Sequence, residues 1–417
     1  MLHPGSKGWI NKYFDLVEKG VFQLEVQRPK GIGIEHFLHL TFGRSGIVFG
    51  FASELLFASS LDRSKWTYEE KLKVLLFEAH LFVYLTTNKK ETFKKEEFIA
   101  SLLKFYGKHN SYSITKIFTF FLRESNEEKS ENILTNRLDI KMNIFENRVW
   151  VSYLSNVFIY LDVILYYDYI KGRKRGAFSN YSELAMNALT AISISAFSDG
   201  TIEEQEKAMF KIFLASANLQ DDKRDLALKQ FKEGATFESF SEVAHKNWLF
   251  KRFLLDISAL TVLANLETVP EEKVFLTKLC EYLEIPSKEL DETLVMVGNF
   301  VLNNNKKVSF LKTSSSYEKM FSSVSRRWIK ILGRNKDKLA IELKQSKELV
   351  SLIKKSATKE LTKEEKEIVK TQFKDIVKSM PSLAIFMLPG GALLLPLVTK
   401  IIPDIIPSAF RDNEIEK

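Results

Sequence analysis

Apolar residues recur at intervals of three and four along most of this 417-residue chain, and this helical spacing restricts its fold more than any other feature. The stretches Glu69–Tyr84 and Ile114–Leu122 show the spacing clearly. Gly and Pro are scarce, at 17 and 9 copies, which favours long helices over a sandwich or barrel with many turns. We therefore predict an all-α fold: a multi-helix N-terminal body, a helical bundle in the middle, and amphipathic C-terminal helices that lead to an apolar segment broken by Pro and Gly.

Changes in this pattern divide the chain into five parts. For the first part, the pattern predicts five or six packed helices. This part includes the very apolar run Val149–Ile170. Asp162 and Asp168 lie inside that run, and each carboxylate would cost about 2.5 to 3.5 kcal/mol near a bilayer centre, so a buried core helix is the better interpretation. The predicted limits are 1–175 for the N-terminal body, 176–305 for the middle bundle, 306–380 for basic amphipathic helices, 381–410 for the apolar segment and 411–417 for a tail.

The residue types that carry chemistry point to a non-enzymatic cytoplasmic protein. The single cysteine, Cys280, lies in an amphipathic run and reads as a small buried side chain that cannot form an internal disulfide. The first residues lack a charged region followed by an apolar run, so we expect no secretory signal. Glycines do not have the spacing of nucleotide-binding loops, and no pattern arranges a nucleophile beside a base.

The middle part contains an Asp-Gly turn followed by an acidic helix start, within Ala196–Glu206. Together with the surrounding helical stripes, this motif resembles the TerB-like family of helical bundles over residues 180–305. The resemblance implies a divalent cation as the candidate cofactor, with Asp199, Glu203 and Glu206 as its ligands. No other cofactor is predicted.

The same residues have a structural interpretation that needs no metal. Asp199 and Gly200 make a turn, and Glu203 and Glu204 favour the positive end of the helix that follows. Capping and cation binding stay open as alternatives at this point.

The basic charge is concentrated near the C-terminal end. Residues 306–380 hold 20 Lys and Arg against 9 Asp and Glu, whereas the whole chain has a net charge of +8. An amphipathic helix is predicted around Leu339–Ile353, and its cationic face should attract an anionic partner, membrane lipid in particular. The predicted lipid-facing or partner-facing basic residues are Lys344, Lys347, Lys354 and Lys355.

No residue between Lys378 and Lys400 is charged. A helix over Pro381–Ile402 would cross a hydrocarbon core of about 30 Å if Lys400 extended its amine to the interface. The break at Pro389–Gly391 also allows a re-entrant hairpin. A terminal helix buried in the body is the third alternative.

The prolines of this segment and their neighbours resemble the membrane segment of the LETM family, the leucine-zipper and EF-hand-containing proteins of the mitochondrial inner membrane. The matching stretches are Pro381–Pro396 and Lys400–Phe410, preceded by a Leu361–Glu365 capping box. The whole arrangement is similar to bacterial proteins described as LETM-related and biofilm-associated. The residues that the resemblance places in the membrane segment are Pro381, Leu383, Phe386, Pro389, Gly390, Gly391, Pro396, Lys400, Pro403, Pro407 and Phe410.

The resemblance implies a non-enzymatic, membrane-associated scaffold or adaptor in envelope or biofilm physiology. The basic flank should keep the body on the cytoplasmic face of the bacterial inner membrane, with single-pass or peripheral attachment. Membrane lipid, a protein partner or a second copy of the chain are the expected partners. One alternative is a cation/proton transport component, although the apolar segment lacks ionisable groups at membrane depth. Another is nucleic-acid or ribosome binding, although the basic flank has few aromatic residues for stacking on bases.

Overall fold

The computed structural model describes residues 2–88, 92–107, 124–140, 156–172, 180–198, 200–263, 270–304, 317–380, 383, 386 and 391–406. Within these ranges the chain forms helices joined by turns and contains no strand, which confirms the all-α prediction. The α-helices are α1 (Trp9–Glu18), α2 (Ile34–Ser45), α3 (Tyr68–Thr87), α4 (Lys95–Gly107), α5 (Asn126–Leu138), α6 (Ile159–Ile170), α7 (Tyr181–Ala196), α8 (Glu204–Ser216), α9 (Asp221–Glu233), α10 (Trp248–Leu263), α11 (Pro270–Tyr282), α12 (Ser287–Asn304), α13 (Tyr317–Gly333), α14 (Lys336–Gln345), α15 (Lys347–Ser356), α16 (Lys363–Lys378), α17 (Gly391–Pro396) and α18 (Ile402–Ile405). Short 3-10 helices cover Ile47–Phe49, Phe237–Ser239 and Glu242–His245, and a π-helical turn covers Leu397–Ile401.

The chain divides into two compact units. Unit 1 contains Met1–Gln27 and Thr41–Thr261, and unit 2 contains Arg28–Leu40 and Val262–Lys417. The chain passes between the units three times: after Gln27, inside α2 and near the end of α10. The domain limits drawn from the sequence at residues 175, 305, 380 and 410 stay predictions.

Helix α3 is central to the first part of unit 1, where it packs against α4, α5 and α6. Its residues from Leu72 to Tyr84 are buried, so the helix has no solvent-facing stripe in that stretch. The ring of Phe77 meets the rings of Trp9, Tyr13 and Phe98 edge to face, with centroids 5.2 to 5.6 Å apart. Interlocked aromatic edges of this kind add to the free energy of burial, and they use the abundant Phe residues.

A buried carboxylate on α3 fixes the loop that precedes this helix. Glu78 is fully buried and accepts hydrogen bonds from the backbone N–H groups of Leu56, Phe57 and Ala58 and from the Tyr13 hydroxyl. Burial raises the pKa of Glu78, while the four donors act in the opposite direction. One side chain therefore satisfies three amides that would otherwise be buried without a partner.

The apolar run that ends at Ile170 is a core helix over its described part. In α6, Asp162 is fully buried and its two carboxylate oxygens each lie 2.7 Å from the Arg137 guanidinium of α5. The Tyr106 hydroxyl of α4 donates to the same carboxylate at 3.0 Å. Because the charge is paired and hydrogen-bonded, the helix tolerates it without reaching water. This confirms the prediction of a buried helix for Ile159–Ile170, whereas residues 149–155 of the predicted run lie outside the described residues.

The helices of the middle part bury the stripes that their spacing predicts. On α7 the buried residues include Leu184, Ala188 and Ile192, and on α8 they include Met209 and Phe213. Gly200 adopts φ +87° between these helices, a left-handed conformation that suits glycine. Farther along, α11 begins at Pro270, and Cys280 is buried and forms no disulfide.

In unit 2, helices α12 and α13 approach closely at a glycine. A Cβ placed on Gly298 would lie 2.4 Å from Val324 Cγ2, far inside van der Waals contact. Val324 is itself buried, so the contact lies in the core of the helix pair. The absence of a side chain at residue 298 therefore sets the distance between these two helices.

Candidate functional site

The C-terminal helices of unit 2 begin with the capping box predicted from the sequence. Thr362 Oγ1 accepts from the Glu365 backbone N–H at 3.2 Å, and Glu365 Oε2 accepts from the Thr362 backbone N–H at 3.0 Å. Helix α16 then buries Val369, Phe373 and Val377 along one face. This helix leads directly to the apolar segment.

The amphipathic region before α16 consists of two helices rather than one. Helix α14 ends at Gln345, α15 begins at Lys347, and Ser346 between them has the non-helical angles φ −100° and ψ 69°. Both helices keep their apolar side inward; the buried residues there are Leu339, Leu343, Leu349 and Ile353. The single continuous helix predicted over this region is therefore wrong, although its buried face is correct.

The four predicted basic residues lie in different environments. Lys344 and Lys347 are exposed, whereas Lys354 and Lys355 are half-buried. The Lys355 ammonium lies 2.5 Å from Glu365 Oε1, which compensates its charge within unit 2. A shallow cleft of about 460 Å³ beside Lys347 is also lined by the acidic side chains of Glu342 and Glu348. The positive charge of this face is thus partly balanced by its neighbours.

Apolar side chains from the described part of the apolar segment belong to the core of unit 2. Leu383 and Phe386 are fully buried. The Phe386 ring lies edge to face against Trp328 of α13, with centroids 4.0 Å apart, and against Phe373 of α16, with centroids 5.9 Å apart. Aromatic rings from two helices therefore hold the start of the segment.

The later part of the segment also contributes side chains to this core. Helix α17, the π-helical turn and α18 contact α13, α15 and α16. Pro396 lies inside the helical run and Pro403 stands near the start of α18, whereas Lys400 is exposed. The side chains that are at most 1% exposed are Leu394, Leu397, Val398, Ile402 and Ile406.

Several residues that the sequence assigns to the membrane segment lie outside the described residues: Pro381, Pro389, Gly390, Pro407 and Phe410. Gly391 is the first residue of α17. Among the helices that the structure describes, none combines the length and the hydropathy needed to cross a bilayer.

At the candidate cation site, the structure shows helix capping by the described residues. The Glu206 carboxylate accepts from the Glu203 backbone N–H at 2.8 Å, and Glu206 is buried. Asp199 lies outside the described residues, and no group of three His, Cys, Asp or Glu residues suited to a metal is found among those described. Cation binding by Asp199, Glu203 and Glu206 stays a prediction.

A cationic cleft in unit 2 was not foreseen from the sequence. It has a volume of about 380 Å³ and lies between α11, α12 and α13. Lys273, Arg326, Arg327 and Lys330 contribute positive charge to its lining, and Asp291 contributes one carboxylate. Arg326 and Arg327 fall in the basic region, but Lys273 lies outside it, and the pattern of charges along the chain contains no signal that joins them.

The comparisons with known proteins place a family likeness at the C-terminal end only. No curated protein and no solved structure matches the chain. Residues 361–417 match the family model described as LETM1-like, RBD, a range that begins one residue before the Thr362 capping box and includes the apolar segment. This end of the chain is therefore LETM1-related.

Proposed function

We propose that this chain is a non-enzymatic scaffold or adaptor of the LETM-related type, associated with the cytoplasmic face of the bacterial inner membrane. The observation that carries the proposal is the LETM1-like match over residues 361–417, because it contains the stretch between Lys378 and Lys400 in which no residue is charged. Its partners are membrane lipid and a protein or second copy of the chain, in envelope or biofilm physiology. A TerB-like middle bundle is part of the same proposal.

The burial of the apolar segment supports peripheral attachment. Helices of unit 2 already cover Leu394, Leu397 and Val398, which a spanning helix would present to lipid. Moving the segment into a bilayer would also uncover the faces that now hold it, including the Trp328 ring. The exposed Lys344 and Lys347 can meet anionic headgroups without any such rearrangement.

Cell fractionation tests this proposal. The full chain is expressed, and the membrane pellet is washed separately with high salt and with alkaline carbonate. We expect the protein in the membrane pellet and its release by either wash, because surface ion pairs are screened by salt. Retention through both washes would instead show an integral anchor at residues 381–407. A protein found only in the soluble fraction would contradict membrane association.

A pair of charge-reversal variants tests the attachment face. In Lys344→Glu/Lys347→Glu we expect the membrane-bound to soluble ratio to fall about tenfold or more, since each cation near an anionic surface contributes about 1 kcal/mol. The matched control is Lys229→Glu/Lys232→Glu, which changes two exposed lysines of α9 and shifts the net charge equally. Equal losses in both variants would assign the effect to net charge rather than to this face.

The cation site of the middle bundle is proposed separately. Titration of the full chain with Ca²⁺ and Mg²⁺ by calorimetry, compared with Asp199→Asn, checks it. Heats that are absent, or unchanged by the substitution, would leave Glu203 and Glu206 as capping residues alone.

A further inference from the structure

We propose that the cationic cleft between α11, α12 and α13 binds the phosphate group of an anionic phospholipid headgroup, with Arg326 and Arg327 as its main contacts. The inference of a phosphate site rests on the cleft itself. The choice of a lipid as the source of that phosphate rests on the membrane association proposed above.

The charges that line the cleft do not balance. Asp291 is the one carboxylate among the lining residues, and it is already engaged by Lys330 at 2.9 Å and by Arg334 at 2.7 Å. Within the described part of the chain, Arg326, Arg327 and Lys273 have no carboxylate at ion-pair distance. Three cations therefore share a concave surface whose one carboxylate is already paired with Lys330 and Arg334.

Among these three residues, Arg327 gives the strongest argument for a bound anion, because its side chain is half-buried. Burial lowers the pKa of its guanidinium, the neighbouring Arg326 adds to that effect, and Asp291 opposes it. An arginine nevertheless stays charged at neutral pH, so the cost of burying the charge is not relieved by losing the proton. A bound anion would add to the partial compensation that Asp291 gives.

The donors at the cleft suit a tetrahedral oxyanion. Arg327 Nη1 donates to Ser323 Oγ at 2.8 Å, which orients the guanidinium and leaves most of its five N–H donors available. The Ser323 hydroxyl accepts that bond, and its own proton can be donated to a ligand oxygen. Two adjacent guanidinium groups with a hydroxyl are a donor set that favours phosphate, which accepts forked hydrogen bonds from arginine.

The remaining lining favours a phospholipid over a nucleic acid. Leu276, Leu290 and Leu294 give the cleft an apolar floor, which suits the ester and glycerol carbons beside a headgroup phosphate. No aromatic side chain is among the lining residues, all of which are described, so bases would find no stacking surface. Val274 and Ile329, the chain neighbours of Lys273 and Lys330, are 53% and 38% exposed and can contact the apolar part of an interface.

The experiment uses the full chain and two probes. Glycerol 3-phosphate tests the phosphate site in solution by calorimetry. Phosphatidylcholine vesicles with and without phosphatidylglycerol test the lipid by co-sedimentation. The variants are Arg326→Gln/Arg327→Gln and Arg327→Lys, and the control is Lys229→Gln/Lys232→Gln, which removes the same net charge from exposed positions of α9.

We expect Arg326→Gln/Arg327→Gln to bind both probes about tenfold more weakly or worse, since hydrogen bonds between charged groups are the strong ones. The control should change binding less than about twofold, and Arg327→Lys should fall between them because it keeps the charge and loses the fork. Without ligand, the double variant should melt at the same temperature as the parent or higher, because it removes like charges from one cleft. If the double variant melts lower, the test rests on Arg327→Lys instead: weaker binding than the parent supports the site, and unchanged binding overturns it.

The remaining outcomes separate the parts of the proposal. Binding of glycerol 3-phosphate without binding of vesicles would keep the phosphate site and overturn the lipid source. Equal losses in the cleft and control variants, or no binding of either probe, would overturn the site. Binding of a single-stranded oligonucleotide that depends on Arg326 and Arg327, with none to vesicles, would reassign the cleft to nucleic acid. Membrane fractionation in cells is a separate measurement, so a failure of this site can be distinguished from a failure of the proposed membrane association.

Discussion

The ion pair between Arg137 and Asp162 is the clearest case of a buried charge that depends on its partner. Asp162 is fully buried, the Arg137 side chain is 8% exposed, and the guanidinium also lies 5.0 Å from the centre of the Tyr181 ring. A nearby carboxylate raises the pKa of Arg137 against the effect of burial, so the arginine keeps its charge inside the protein. Removing one partner would leave the other charge buried alone.

We predict that Arg137→Met lowers the free energy of unfolding by about 3 to 5 kcal/mol. Arg137→Met/Asp162→Leu should recover part of that loss, because the double variant leaves no uncompensated charge. Urea unfolding measures both. As a control, Lys229→Ala at the exposed Lys229–Glu233 pair should change stability by less than about 1 kcal/mol. Asp162→Leu completes the cycle: if the double variant lost the sum of the losses of Arg137→Met and Asp162→Leu, the pair would not be energetically coupled.

His80 should make the stability of the protein depend on pH. Burial lowers the pKa of His80 to about 4 from an ordinary value of 6.5, and its Nδ1 lies 2.7 Å from the Leu76 carbonyl oxygen. Between these two pH values the unfolded chain binds a proton that the folded chain does not. Stability therefore falls as the pH drops from 6.5 toward 4, by at most about 3 kcal/mol.

Comparing the parent with His80→Leu at pH 7 and pH 4.5 checks this prediction. The parent should lose more free energy of unfolding between the two pH values than the variant does, because the variant has no proton to gain. Asp162, Arg137 and Tyr106 are present in both proteins, so the difference isolates the histidine. Identical pH dependence in the two proteins would contradict the prediction.

At the scale of elements, the close approach of α12 and α13 is the contact most sensitive to a small change. We predict that Gly298→Ala destabilises the protein by about 1 to 3 kcal/mol, since the new methyl group would overlap Val324. Thermal unfolding in the presence of Val324→Ala provides the internal control, because a smaller partner makes room for the methyl group. If Gly298→Ala were harmless alone and in combination, the helices would be free to separate.

Helix positions were predictable because they depend on local information. The apolar stripes of α7 and α8 and the Thr362 capping box all follow from residues three or four apart. The break at Ser346 could not be read in the same way, since Leu343 and Leu349 continue a plausible stripe across it. Only the packing of α14 and α15 shows that two helices share that stripe.

The candidate sites were less predictable because they depend on distant parts of the chain. The uncharged stretch after Lys378 marked a special segment, yet its sequence could not distinguish lipid contact from burial against Trp328. Lys273 and Arg327 line one cleft although about fifty residues separate them. Arg137 and Asp162 likewise pair across separate helices, so the partner of the buried aspartate was invisible to periodicity.

On the scale of the whole molecule, unit 2 is assembled from two separate stretches. Residues 28–40 are grouped with residues 262–417, and His36 Nε2 lies 3.2 Å from the Glu292 carboxylate. We predict that a fragment of residues 262–417 melts at a lower temperature than the same fragment joined to residues 28–40 by a Gly/Ser linker. Calorimetry compares the two, with a scrambled 28–40 sequence as the control. Equal melting temperatures for all three fragments would show that the short stretch adds no stability.

The same interleaving has a consequence for the order of events during synthesis. Residues 28–40 leave the ribosome more than 200 residues ahead of the rest of unit 2. At about 5 to 20 residues per second, the wait is roughly 10 to 40 s. Ile32, Phe37 and Leu38, which are buried in the finished protein, stay without their partners for that time. A newborn chain must therefore carry this short apolar stretch uncovered while unit 1 forms, and that interval is when it is most open to chaperones and to aggregation.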